Sequence, residues 1–155
     1  MQAGPNAFST YSWVFFLAFG GAFWCFICFI ASIMSGWFSL SGRFRAQAEP
    51  CGETRSAGPF FYTVYMRFWG HYSSIIRMTA ADDALYLSVL LPFRPGHPPL
   101  CIPWNEITFG KNKFLWKSYV VLTLGNAERI PLRISERMAR NLGILERLPV
   151  DALPQ

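Results

Sequence analysis

The first 42 residues contain no Asp, Glu, Lys or Arg; all nine acids and all fourteen bases lie at or after Arg43. A water-facing segment of that length needs charge on its outer side, so an ordinary soluble surface is excluded there. Histidine occurs only at His71 and His97, and the four cysteines are Cys25, Cys28, Cys51 and Cys101. No second cysteine pair stands at zinc-ligand spacing. Cys25-Phe26-Ile27-Cys28 is formally a C-x-x-C, but its thiolates would sit in an apolar run where charge is costly. Phe29 stands where haem attachment would need His. No Lys or Arg precedes the apolar run, so the basic n-region of a cleaved signal peptide is missing. A nucleic-acid recognition motif is missing too, and a net charge of +5 is modest for that role.

What the N-terminal region does contain is WVFFLAFGGAFWCFICFIASIM, Trp13 to Met34. At 1.5 Å per residue this run spans about 33 Å, enough for a hydrocarbon core of about 30 Å. Tyr11, Trp13 and Trp37 sit at its ends, where interfacial aromatics are expected. Arg43, Arg45 and Arg55 follow it and no Lys or Arg precedes it. The positive-inside rule therefore expects a C-terminal domain in the cytoplasm and an inner (plasma) membrane location. Within the run, Ala18, Gly21, Cys25, Cys28, Ser32 and Ser35 recur at spacings of 3 and 4, a small-residue seam along one stripe. Small residues let helix backbones approach closely in lipid, so the seam predicts a helix partner, a second copy or another membrane protein.

Ser35 to Phe60 changes to Gly, Ser, Ala and Pro with scattered charge. Trp37, Phe38 and Phe44 are expected near the headgroups, with Arg43 and Arg45 in the anionic surface layer. From Phe60 onward the pattern is mostly strand. Phe60–Phe68 and Tyr72–Thr79 have strand composition, and Ala81-Asp82-Asp83 reads as a turn. Leu85–Leu91 alternates, and Pro103 confines the short run through Ile102 and Trp104 to an edge or bulge. Leu115–Leu124 alternates, and after the Gly125-Asn126 turn Ile130, Leu132 and Ile134 face in while Pro131 and Arg133 face out. Short spacings without intervening helices argue for an antiparallel sheet or small barrel of five or six strands. Ser135 is a good N-cap for one closing helix, with Met138, Leu142, Leu145 and Leu148 as its apolar stripe and Pro149 as its stop.

The order LYLSVLL, then IPWNEI, then VVLTLGNAERIPLRI, then a helix resembles a bacterial PH-like domain (PH/GRAM-type) over about Phe60 to Leu148. The whole chain is similar to small uncharacterised single-pass bacterial membrane proteins carrying the Phe93–Trp104 segment, Phe-Arg-x-Gly-His-Pro-Pro-Leu-x-Ile-Pro-Trp. The resemblance implies a small barrel plugged by a C-terminal helix and transfers no chemistry. The expected fold class is membrane-anchored and mainly β: one N-terminal transmembrane helix, then a small antiparallel sheet or PH-like barrel closed by a C-terminal amphipathic helix. Its segments are an outer N-tail over 1–12, the transmembrane helix over 13–36, an interfacial segment and linker over 37–59, the β domain over 60–149, and a tail over 150–155.

Leu91 to Trp104, LPFRPGHPPLCIPW, holds five prolines. Pro92, Pro95, Pro98 and Pro99 each fix φ and remove a donor, so the segment reads as a stiff connector. A catalytic His97 would need an orienting partner and a nucleophile, and Cys101 and Glu106 are the nearest candidates in sequence. The preferred expectation is a histidine hydrogen-bonded to turn backbone. Arg94 is expected either to pair with Glu106 or to meet lipid phosphate. Lys111, Lys113 and Lys117, with Trp116 among them, form the main basic cluster, facing either solvent or an anionic leaflet.

Three functions remain: a non-enzymatic interaction module or accessory subunit of a membrane assembly, an anionic-lipid-binding domain on an anchor, and a Cys/His enzyme using His97 and Cys101. The first is preferred. No catalytic residue, metal, cofactor, nucleic acid or small-molecule substrate is expected. Membrane lipid and a helix partner are expected, with Arg43, Arg45, Arg94, His97, Lys111, Lys113, Trp116 and Lys117 as candidate contacts.

Overall fold

A computed structural model describes residues 7–47, 54–56, 63–67, 70–114 and 117–147; for residues 7–10, 70, 111–114, 117 and 118 it describes the backbone alone. Helix α1 runs over Ala7–Ser35, so residues 7–12 continue the helix rather than forming a tail. Its stretch Tyr11–Ser35 is long and apolar enough to cross a membrane. From Tyr11 on, its outer part stands clear of the rest of the chain: Phe15 is 68 % exposed and Leu17 75 %.

Gly36 ends α1 in the left-handed region at φ 84°. A side chain there would be strained, and a Cβ would lie 2.5 Å from Ile130 Cδ1. Helix α2, Trp37–Phe44, follows at once. Its 3, 4 spacing turns Trp37, Leu40 and Phe44 to one side. All three are buried in the same core as the sheets. This corrects the interfacial expectation: Trp37 and Phe44 are taken up by the domain, while Phe38 stays half-exposed.

Nine strands follow among the described residues, in two antiparallel sheets. They are β1 (Arg55–Ser56), β2 (Thr63–Met66), β3 (Gly70–Ser73), β4 (Ile76–Ala80), β5 (Ala84–Val89), β6 (Leu100–Pro103), β7 (Ile107–Phe114), β8 (Lys117–Leu124) and β9 (Ile130–Ser135). One sheet has the order β1-β4-β5-β6, the other β3-β2-β9-β8-β7. The presumed linker thus contains β1, paired with β4 through Arg55–Ala80 and Ser56–Thr79. The expected single strand Tyr72–Thr79 is two strands in different sheets. Ser74, at φ 58°, makes the break. Pro103 does lie on an edge strand, β6, where its missing N–H costs no ladder bond.

The inward alternation of β9 holds: Ile130, Leu132 and Ile134 are buried and Arg133 is exposed. They join Met66, Leu85, Leu87, Leu100, Ile102, Val120 and Leu122 in one core between the sheets. Ser135 caps α3, Glu136–Asn141, by accepting the Met138 N–H. The helix is shorter than expected because Gly143 takes φ 68° and ends it. A 3-10 turn over Ile144–Arg147 continues the chain. Met138, Leu142 and Ile144 are buried. Leu148 lies outside the described residues.

Candidate functional site

The proline-rich connector Leu90–Pro99 is folded against the inner end of α1, and its chemistry explains why. Prolines remove backbone donors but leave every carbonyl, so the segment is rich in acceptors. The helices supply the missing donors. Trp24 Nε1 donates to Pro92 O at 2.7 Å, and Trp37 Nε1 to Pro98 O at 2.8 Å. The Ser32 hydroxyl donates to Gly96 O. Ala46 N–H, just past α2, donates to Pro99 O at 2.8 Å. Close approach depends on Gly96, which sits at φ 75°; a Cβ there would lie 3.0 Å from Phe29 Cα. Trp24 and Phe93 add a ring contact at 5.4 Å between centroids.

Beneath this contact lies a buried polar chain. His97 is 2 % exposed. Its Nε2 lies 2.9 Å from the Tyr72 hydroxyl, which lies 2.9 Å from Ser35 Oγ. His97 Nδ1 is 3.2 Å from Pro95 O, a pure acceptor, so Nδ1 carries a hydrogen in that bond. With a neutral imidazole, Tyr72 donates to Nε2 and Ser35 donates to Tyr72. With a charged one, Nε2–H donates to Tyr72, Tyr72 to Ser35 Oγ, and Ser35 to Ser32 O, 3.2 Å away. The chain therefore satisfies either protonation state by turning two hydroxyls. Burial pushes the His97 pKa below its usual value, with the carbonyls of Pro95 and Phe93 pulling it back up. Burial pushes the Tyr72 pKa up, opposed by its hydrogen bond to Ser35. The Trp37 ring packs edge-on to His97 at 5.4 Å.

The predicted seam divides in two. Cys28, Ser32 and Ser35 are buried, while Ala18, Gly21 and Cys25 are exposed. The inner half thus faces the chain's own domain. His97 is too buried for the surface contact expected of it. Arg94 does not pair with Glu106; that carboxylate meets Arg43 at 3.2 Å and accepts Asn126 N–H at 3.0 Å. Arg43 also reaches Glu128 at 3.7 Å. Arg45 and Arg94 are exposed and line one cleft beside α1. The side chains of Lys111, Lys113 and Lys117, and the whole of Trp116, lie outside the described residues, as does Cys51.

Cys101, partly buried on β6, stands opposite Tyr86 in the sheet register. Among the described residues no three His, Cys, Asp or Glu side chains gather as a metal site. Sequence reading passed over Trp24 and Tyr72. Trp24 left a signal: an indole donor in an apolar run, in a chain with a donor-poor proline segment. Tyr72 left none, because a tyrosine in a strand is ordinary. Comparison with family models, with curated proteins and with solved structures gives no match.

Proposed function

We propose that this chain is a non-enzymatic single-pass membrane protein acting as an interaction module or accessory subunit of a membrane assembly. Its C-terminal PH-like domain sits in the cytoplasm beneath the inner membrane. The reading rests on one observation: α1 divides into a docked inner half and a bare outer half. The outer half carries Phe15, Phe19 and Phe23 stacked along one side at 6.3 and 6.5 Å between ring centroids. Ala18, Gly21 and Cys25 are exposed in the same stretch. Apolar exposure on that scale needs lipid or protein around it. Small residues on such a helix favour a second helix over lipid alone, because they permit backbone approach.

The test is association of the tagged full chain in mild detergent. Wild type is expected to run with a stoichiometric partner or as a homo-oligomer. Replacing Ala18, Gly21 and Cys25 together by Leu is expected to abolish that association. A monomeric wild type, or association that survives the triple substitution, would falsify the seam as an interface.

A second reading, anionic-lipid binding, is favoured by Arg45 and Arg94, which line the cleft beside α1 and have no carboxylate partner among the described residues. Within that reading the β domain holds basic side chains at the leaflet surface, each worth about 1 kcal/mol near anionic lipid.

A further inference from the structure

We infer that the cleft between α1, α2 and the proline connector binds the phosphate of an anionic glycerophospholipid. The inference rests on α1 spanning a bilayer and on the second, lipid-binding reading, and it gives that reading a site and a ligand class. The cleft has a volume of about 500 Å³, and its walls include Phe29, Phe38, Ser41, Arg45, Arg94 and Gly96.

Depth comes first. Phe29 stands six residues before the end of α1, so the cleft's apolar wall rises about 9 Å above the helix end at 1.5 Å per residue. Arg45, one residue beyond α2, marks its lower side. A spanning α1 sets such a cleft across the boundary from acyl chains to headgroups.

Charge comes second. Arg43, Arg55, Arg140 and Arg147 each have a carboxylate within ion-pair distance. Among the described residues Arg45 and Arg94 have none, as is also true of Arg67, Arg77, Arg129, Arg133 and Arg137; what sets Arg45 and Arg94 apart is that both line this cleft, which no acidic side chain lines. Two guanidiniums without a counter-ion suit a phosphate, which accepts paired N–H bonds from each. They also repel the ammonium of choline or ethanolamine, and no carboxylate lines the cleft to offset that repulsion. The headgroup chosen is therefore anionic overall, as in phosphatidylglycerol.

The apolar wall comes third. The rings of Phe29 and Phe38 meet edge to face at 5.6 Å. They stay 42 % and 52 % exposed. A free phosphate gains nothing from such a wall, whereas an acyl chain covers it. Pro98 and Pro99 close the far side. With φ fixed, that side keeps its shape as the lipid enters.

The experiment is native mass spectrometry of the full chain in mild detergent carrying equal phosphatidylglycerol and phosphatidylcholine of the same acyl composition. One phosphatidylglycerol is expected to be retained in preference by about tenfold or more. The double variant Arg45→Gln/Arg94→Gln is expected to bring the two lipids to parity. Added inorganic phosphate is expected to leave the wild-type preference unchanged. Equal retention by wild type overturns the proposal without reference to any variant. A preference that persists in the double variant, or one that inorganic phosphate erases, also overturns it. An alkaline carbonate wash of membranes tests the anchor separately. A chain that stays in the pellet but shows no lipid preference loses the site alone. A chain that washes off loses the anchored reading as well, and the site with it.

Discussion

The two halves of α1 have similar composition and opposite fates. From Tyr11 to Phe23 every side chain is exposed. From Trp24 to Ser35 the helix gives donors to the proline connector and buries Cys28, Ser32 and Ser35. The same small-residue spacing runs through both. What differs is where the donors stand: in the outer half Tyr11, Ser12 and Trp13 cluster at the far end, while the inner half sets Trp24 and Ser32 against the connector's carbonyls, which lack matching N–H groups. A stripe of small residues therefore permits approach, and polar pairing decides who approaches.

Removing the Trp37 side chain should break this comparison most severely. Trp37→Ala empties a fully buried site and strips Pro98 O of its donor. A loss of about 3–5 kcal/mol is expected for such a truncation, read as a fall in the melting midpoint of the detergent-solubilised chain. A midpoint close to wild type would show that α2 is not part of the core.

A matched pair of glycines sharpens the contrast. Gly96→Ala forces an L-residue into the left-handed region against the Phe29 backbone. It should cost at least about 1–2 kcal/mol from backbone strain alone. Gly21→Ala meets nothing within 4 Å. It should not lower the midpoint, and the better helix propensity of Ala inside α1 favours a gain in stability of up to about 1 kcal/mol. Equal effects at the two sites would erase the distinction between the halves.

The smallest expected effect concerns pH. The folded pKa of His97 lies below its unfolded value near 6.5. Below that pH the unfolded chain takes up a proton that the buried ring resists. The stability His97 contributes is thus complete above the unfolded pKa and is lost as pH falls through the lower folded one. His97→Gln should flatten the decline in melting midpoint over that window. An identical slope in wild type and variant would remove His97 as its source.

The parts legible in the sequence are those set by local patterning. The apolar run of α1, the alternation of β9, the Ser135 cap and the edge position of Pro103 each follow from period or donor count. Ser74 shows where that stops. It breaks a strand-like run with a positive φ in a residue that seldom takes one, and no Gly, Pro or Asn announces it. Trp37 and Phe44 were read as interfacial aromatics; with Leu40 they stand at helical spacing, but such a stripe beside a long apolar helix does not say whether lipid or a sheet covers it. Only tertiary contact answers that. The donor–acceptor match between the two helices and the connector was written in the sequence, at Trp24 and Ser32 of α1 and Trp37 of α2, and becomes readable once those segments are known to touch.

The glycine elbow has a mechanical consequence. One residue separates the long helix from a helix sunk in the core. The sheets are therefore not on a leash: they sweep no volume and gain no flexible-tether advantage in local concentration. Whatever grips the bare half of α1 grips the sheets with it, at one height and one compass bearing. A binding partner has to arrive at that address, because the domain has no slack with which to go out and meet it.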